Sequence, residues 1–217
     1  MDDESVRAAD GRVPGQRGRQ TRERLLEATE QLLASASFRD LKVVDIAREV
    51  GSSPATFYQY FPDVEAAVLQ VAQATADDAN GLTAPFDGVS WKGRTAVDAA
   101  YAVVDAFLDL WRRHGAVMRV VDLKITEGDA QFRRIRNEIL GPPARLLRKA
   151  IAESKADGRH PESVDPHAQA GVLVAMLAHV AEHRQGDEGW GIDEDAARAA
   201  MARMVVWSVT GRRPTGD

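Results

Sequence analysis

The 217-residue chain is predicted to be all-α, and three observations carry that prediction. Ala, Leu, Val, Arg and Glu recur through long stretches while aromatic residues make up only 6%, a composition that suits helices better than a pleated sheet rich in β-branched and aromatic side chains. Apolar residues return at three- and four-residue steps, as in Leu25, Ala28, Leu32, Leu33 and Ala36, the period of an amphipathic helix. The stripes are separated by helix punctuation such as Gly51, Pro62, Asp157-Gly158-Arg159-His160-Pro161 and Gln185-Gly186-Asp187-Glu188-Gly189.

Taken in order, the first helix is expected to start with Thr21 as its cap and to end near Ser37. Phe38 and Leu41 fall in a short connection. Val43, Ile46, Ala47 and Val50 form a second, shorter stripe that Gly51 stops, as glycine does where the chain leaves a helix with positive φ. In the next segment Ser53 is placed as N-cap and Pro54 as first helical residue, where its missing N–H costs nothing, and Pro62 closes the segment about two turns later. Two short helices joined by a glycine-containing turn give the outline of a helix-turn-helix. A fourth helix is expected from Asp63 to about Asn80, a loop over Gly81 to Gly93, and further helices at about 94–113, 115–126, 129–156, 165–184 and 193–209. That makes nine or so, with Pro142-Pro143 expected to kink or divide the one at 129–156. There is no internal repeat.

Composition bounds the function. With no cysteine, disulfides and thiolate chemistry are excluded, and a zinc site would have to use His and carboxylates alone. The first twenty residues have no apolar core of a secretory signal, and the longest apolar run, Ala170 to Ala178, is too short to span a bilayer. A cytoplasmic protein without membrane association is expected. Formal net charge is −5, but residues 11–62 carry eight Lys/Arg against six Asp/Glu, whereas 63–217 carry nineteen against twenty-three. The positive excess is concentrated in Arg12, Arg17, Arg19, Arg22 and Arg24, a cluster suited to phosphates or a minor groove.

A helix that reads DNA needs small or polar side chains where it approaches base edges and groups farther along that bond phosphates. Ser53 to Tyr60 supplies both: Pro54, Ala55 and Thr56 are short enough to admit a helix into a major groove, and Tyr58, Gln59 and Tyr60 reach toward the backbone. The segment has no Arg or Lys, so it lacks the commonest specific contact, bidentate guanine readout.

Asp45-Ile46-Ala47, Gly51-Ser52-Ser53 and Thr56-Phe57-Tyr58-Gln59-Tyr60-Phe61, with Leu25-Leu26-Glu27-Ala28 and Phe38 upstream, resemble the helix-turn-helix of tetracycline-repressor (TetR) family regulators. The resemblance covers roughly residues 20–70. It implies that Ser53 caps the recognition helix, that Ala55 and Thr56 meet base edges, that Tyr58 and Tyr60 contact phosphates, and that Phe57 and Phe61 are core. Two positions depart from the pattern: Val64 stands where members commonly have lysine, and Lys42 where they commonly have Ser or Thr capping the second helix. One phosphate contact is lost, and Lys42 supplies a cation nearby at the expense of a cap. The expected DNA-binding set is therefore Arg17, Arg19, Thr21, Lys42, Ser53, Pro54, Ala55, Thr56, Tyr58, Gln59 and Tyr60. The expected domains are a flexible basic arm at 1–19, a DNA-binding domain at 20–62, and a helical ligand-binding and dimerisation domain at 63–217 whose last two long helices pair with a second subunit.

Residues 168–181 are apolar on more than one face, and Ala196 to Val209 carries Ala, Met, Val and Trp207, so both helices need a cover, which a homodimer provides. A pocket between helices would be lined by large apolar side chains, for which Tyr101, Phe107, Trp111, Met118, Phe132, Met176 and Trp190 are the candidates; the same residues suit plain core. Their character points to a lipophilic or aromatic effector. The whole reads as a regulator released from operator DNA by a small molecule, needing no cofactor and performing no catalysis. Two alternatives remain open. One is an activator with the same fold. The other is a zinc hydrolase using His179, Glu182 and His183, which have the H-x-x-E-H form but lack an evident third ligand.

Overall fold

A computed structural model describes residues 15–187 and 191–211, with no account of the side chains of 184–187. Those residues form eight α-helices and no strand: α1 (Gln16–Ser35), α2 (Val43–Glu49), α3 (Pro54–Tyr58), α4 (Val64–Asp78), α5 (Gly93–Thr126), α6 (Ala130–Ala156), α7 (Pro166–Asp187) and α8 (Glu194–Thr210). The all-α expectation holds. The described residues form two compact units, one of those up to Ala76 with Ala116–Ile135, the other of Asp77–Gly115 with those from Arg136 on.

In the first unit, α1 begins a turn and a half before the expected start. Its N-cap is Gly15, which has no side chain to cap with, and Thr21 is an interior residue whose Oγ1 donates to the Arg17 carbonyl at 3.0 Å. Arg17 and Arg19, expected on a flexible arm, are exposed on this helix. The reason is propensity: Gln16 to Arg24 is rich in Gln, Arg and Glu, good helix formers that need no buried face. Arg12 and the rest of the expected arm through residue 14 lie outside the described residues.

Leu25, Ala28 and Leu33 on α1 are buried, as are Ile46 and Ala47 on α2 and Phe57 on α3. The chain leaves α2 through Gly51 at φ +66°, with the Gly51 N–H on the Arg48 carbonyl at 3.0 Å and the Ser52 N–H on the Ala47 carbonyl at 2.8 Å. These two bonds complete a Schellman C-cap. A Cβ at Gly51 would touch nothing within 4 Å, so Gly51→Ala isolates the left-handed backbone. Chemical denaturation is expected to show a loss of about 1–2 kcal/mol.

Asp63 caps α4 through its Oδ1, which accepts from the Ala66 N–H at 2.8 Å. Lys124 on α5 donates to Glu65 on α4 at 2.7 Å and pairs with Glu127 at 3.1 Å. The Glu65 hydrogen bond, followed by that of Glu127, raises the lysine pKa against the opposing effect of burial.

In the second unit α4 ends at Asp78, a 3-10 turn at Ala79–Leu82 runs into the expected loop over 81–93, and a second, Ala84–Phe86, lies within it. The helices expected at 94–113 and 115–126 are one, α5, which runs through Gly115 without a break. The expected division at Pro142-Pro143 is also absent: both prolines lie inside α6. Proline removes two N–H donors there, but Pro143 is itself buried on the stripe that carries Ile139, Leu147 and Ile151, so packing outweighs the lost bonds. Helices α7 and α8 pack on one another, tied by Gln169 Nε2 donating to the Ser208 carbonyl at 2.6 Å. Asp193 caps α8 by accepting from the Ala196 N–H at 2.7 Å.

Candidate nucleic-acid interface

Helix α3 is short and held from both ends. Ser53 Oγ accepts from the Thr56 N–H at 3.2 Å and lies 3.1 Å from Thr56 Oγ1, while Pro54 occupies the first turn, where its missing donor is harmless. Phe57 is fully buried and Phe61 is 2% exposed, their rings 5.4 Å apart, so the helix is anchored through its core face. The opposite face is open. Pro54, Ala55 and Gln59 are exposed, Tyr58 is 52% exposed, and Thr56 and Tyr60 are partly exposed. The structure thus brings the expected Ser53–Tyr60 set onto one presenting element, with Phe57 and Phe61 in the core as expected.

Lys42 is the N-cap residue of α2 and its exposed side chain makes no cap bond, which leaves the ammonium on the surface. The arginine cluster, by contrast, divides by role. Arg22 lies over the Phe61 ring, 5.5 Å from its centroid, and donates to Gln70 Oε1 at 2.9 Å; burial, outweighing Glu23, lowers its pKa. Arg24 donates to the Val50 carbonyl at the end of α2 at 2.8 Å. Both therefore brace the helical unit, a role that sequence spacing gave no sign of. Arg17 and Arg19 keep their exposure.

The described candidate pocket residues fall in both units. Met118 and Phe132 are buried in the first unit; Tyr101, Phe107, Trp111 and Met176 belong to the second; Trp190 lies outside the described residues. Phe107 and Trp111 stack at 5.9 Å with rings 9° from parallel, and Arg198 covers Tyr101 at 4.6 Å. A half-open crevice of about 340 Å³ in the second unit is lined by none of the seven. Its walls include Asp78, Asp105 and Asp109, already engaged: Asp78 by Arg113 and His114, Asp109 by Arg113, and Asp105 by Arg198. The His114 hydrogen bond leads in holding the Asp78 pKa below its ordinary value, against the opposing effect of burial.

His179 and His183 are exposed on α7 with ring centroids 4.2 Å apart, and His183 Nδ1 lies 3.0 Å from the His179 carbonyl oxygen. Among the described residues no group of three His, Cys, Asp or Glu is arranged to hold a metal, so the pair has no third ligand there. No described helix is long and apolar enough to cross a membrane.

Comparison with known proteins agrees with this geometry. Residues 25–71 match the model for bacterial regulatory proteins of the tetR family, and residues 82–216 match that for the tetracyclin repressor-like C-terminal domain. The HTH-type transcriptional regulator EthR of Mycolicibacterium smegmatis is 22% identical over 193 residues, 88% of this chain and 87% of that protein. A TetR-family transcriptional regulator from Streptomyces coelicolor has a similar fold, with a TM-score of 0.65 at 15% identity over 88% of this chain and 82% of that one. So has the transcriptional regulator FadR from Bacillus subtilis, solved in complex with stearoyl-CoA, with a TM-score of 0.62 at 16% identity over 88% of this chain and 99% of that one. The match over the C-terminal domain alone spans more than half of the chain, and with the capped, outward-facing α3 it settles the family: the chain belongs to the tetracycline-repressor (TetR) family of DNA-binding transcriptional regulators.

Proposed function

We propose that the chain is a dimeric repressor that leaves its operator when a lipophilic small molecule binds, with residues 15–62 contacting DNA and residues from 63 onward serving ligand binding and dimerisation. The observation that carries the DNA contact is α3 itself: a helix capped by Ser53, pinned by Phe57 and Phe61, and open along Pro54, Ala55, Tyr58 and Gln59. In this reading Ala55 and Thr56 meet base edges, Tyr58, Gln59 and Tyr60 meet phosphates, and Lys42, Arg17 and Arg19 add cationic grip, with Thr21 alongside them on α1.

The test is fluorescence anisotropy on the gene's own upstream intergenic DNA at two salt concentrations, beside a Thr56→Ala/Tyr58→Ala double variant. Specific binding that weakens with salt and disappears in the variant supports the reading. Failure on that DNA and on a random duplex library removes it. Arg17 gives a separate readout, because each phosphate neutralised by a cation contributes about 0.9 to the slope of log affinity against log salt. Arg17→Ala is expected to reduce that slope by about 1.8 in a dimer, and an unchanged slope would take Arg17 out of the interface.

For the effector, the stearoyl-CoA bound to the similarly folded FadR makes long-chain acyl thioesters the first class to try. Trp111 supports a ligand with a hydrogen-bond acceptor: its Nε1–H is buried without a partner among the described residues, a state that costs about 1–3 kcal/mol. An effector that binds the released state better than the DNA-bound one shifts the equilibrium by that difference and no more. Trp111→Phe is expected to raise the concentration of stearoyl-CoA needed for DNA release roughly tenfold while leaving DNA affinity intact. An unchanged release curve would remove Trp111 as an anchor.

A further inference from the structure

The side chains that α3 offers to bases share a chemistry that defines what they read. Pro54 and Ala55 are exposed and wholly apolar. Thr56 has a hydroxyl, whose Oγ1 lies 3.1 Å from Ser53 Oγ and so already has one hydrogen-bond partner, and a γ-methyl, which is the apolar part the side chain adds to a groove. From Ser53 to Phe61 there is no Lys, Arg, Asn, Asp or Glu, which removes the usual readers of guanine and cytosine and one of the two readers of adenine. Gln59, the other adenine reader, stands at the far end of the helix as its C-cap.

Resting on the DNA-binding reading above, we propose that α3 recognises its half-site chiefly by apolar contact of Pro54, Ala55 and the Thr56 methyl with thymine 5-methyl groups. The major groove presents one such methyl for each thymine and none for the other three bases. The Pro54 and Ala55 side chains carry no donor for the O6 and N7 acceptors of guanine and no acceptor for the amino donor of cytosine. A G·C pair beneath Pro54 and Ala55 would lose hydration at its polar edge without gaining a bond, which disfavours it further. The positions beneath these residues are therefore thymines on one strand or the other. Affinity for them depends on the methyl group rather than on a hydrogen bond.

The experiment changes the DNA first and then one residue of the protein. The preferred duplex is selected from a random library, and each thymine of its half-site is then replaced by deoxyuridine, which keeps every hydrogen-bonding group and removes only the methyl. Burial of one methyl corresponds to about a fourfold change in affinity, and symmetric replacement in both half-sites to about fifteenfold. At least two thymine positions are expected to show this loss, while thymines outside the selected motif show none. Ala55→Gly is expected to abolish the thymine-deoxyuridine difference at one of these positions and to spare the other. Specific binding that tolerates deoxyuridine throughout overturns the methyl readout and leaves the DNA-binding reading standing. Selection that yields no preferred duplex overturns both.

Discussion

Replacing Tyr58 with alanine is expected to lower operator affinity on the order of a hundredfold while leaving the protein folded. Both halves of that expectation come from where the ring sits. Tyr58 is 52% exposed, and its ring approaches Phe57 edge-on at 5.9 Å, so truncation opens no cavity and the Phe57–Phe61 anchor persists. In the proposed complex the phenol donates to a phosphate. A hydrogen bond to a charged group contributes roughly 1.5 kcal/mol, and a symmetric dimer makes it twice, giving about 3 kcal/mol or two decades of affinity. Tyr58 is uncharged, so the salt dependence is expected to stay parallel to that of the wild type, which separates this variant from Arg17→Ala. Tyr58→Phe is expected to reproduce most of the loss, because it removes the hydroxyl and keeps the ring. If Tyr58→Phe binds like the wild type, the phenol has no phosphate partner and the placement of α3 in the groove needs revision.

The parts of the fold that the sequence made legible are those where local chemistry and packing agree. Ser53, Pro54 and Gly51 each have one good structural use, and each has it: a cap, a first-turn proline and a left-handed exit. Where punctuation and packing compete, punctuation misleads. Gly115 invites a break in α5, yet Val104, Phe107, Leu108 and Trp111 before it and Met118 and Val121 after it are buried in one helical phase, with a step of seven residues, about two helical turns, from Trp111 to Met118. The same holds in α6, where Phe132, Ile135, Ile139, Leu147 and Ile151 keep one phase across the prolines. A side chain is worth a few kcal/mol when buried, more than a glycine costs and comparable with a proline, so a stripe that keeps its phase prevails over the breaker residues. The start of α1 failed for the opposite reason, since its first turns carry no stripe at all.

The functional residues divide along the same line. Those on α3 are recognisable because a binding face must break the pattern of burial, and small or aromatic polar residues in a capped short helix do so visibly. Arg22 and Arg24 are illegible because an arginine that braces a ring or a helix end has the same letter as one that grips phosphate, and only the fold tells them apart. The same holds for large apolar residues such as Phe132 and Met118, whose placement in the first unit depends on contacts far from them in sequence.

Placing a charge on the outer face of α7 and α8 is expected to dissociate the protein and to cost on the order of a thousandfold in operator affinity. That face is apolar and open: Val172 is 69% exposed, Met204 44% and Trp207 42%, with Ala168 and Ala175 exposed on the same stripe of α7 as Val172. The opposite sides of these helices bury Leu177, Val205 and Val209, so the outer residues are not needed to hold α7 on α8. Large exposed apolar side chains clustered on two packed helices mark a surface that another chain covers, and a two-fold interface would bury every one of them twice. A Val172→Glu/Trp207→Glu variant places four carboxylates in that dimer interface, where an unpaired buried charge costs several kcal/mol. Sedimentation is expected to show a monomer whose far-ultraviolet circular dichroism matches that of the parent. Operator affinity falls because a second half-site is then bound from bulk solution instead of at the roughly millimolar effective concentration that a tether supplies. Val172→Ala is expected to keep the dimer, because it shortens the contact without charging it. A parent chain that sediments as a monomer at every concentration, or a charged variant that still binds both half-sites like the parent, would show that dimerisation does not use this face.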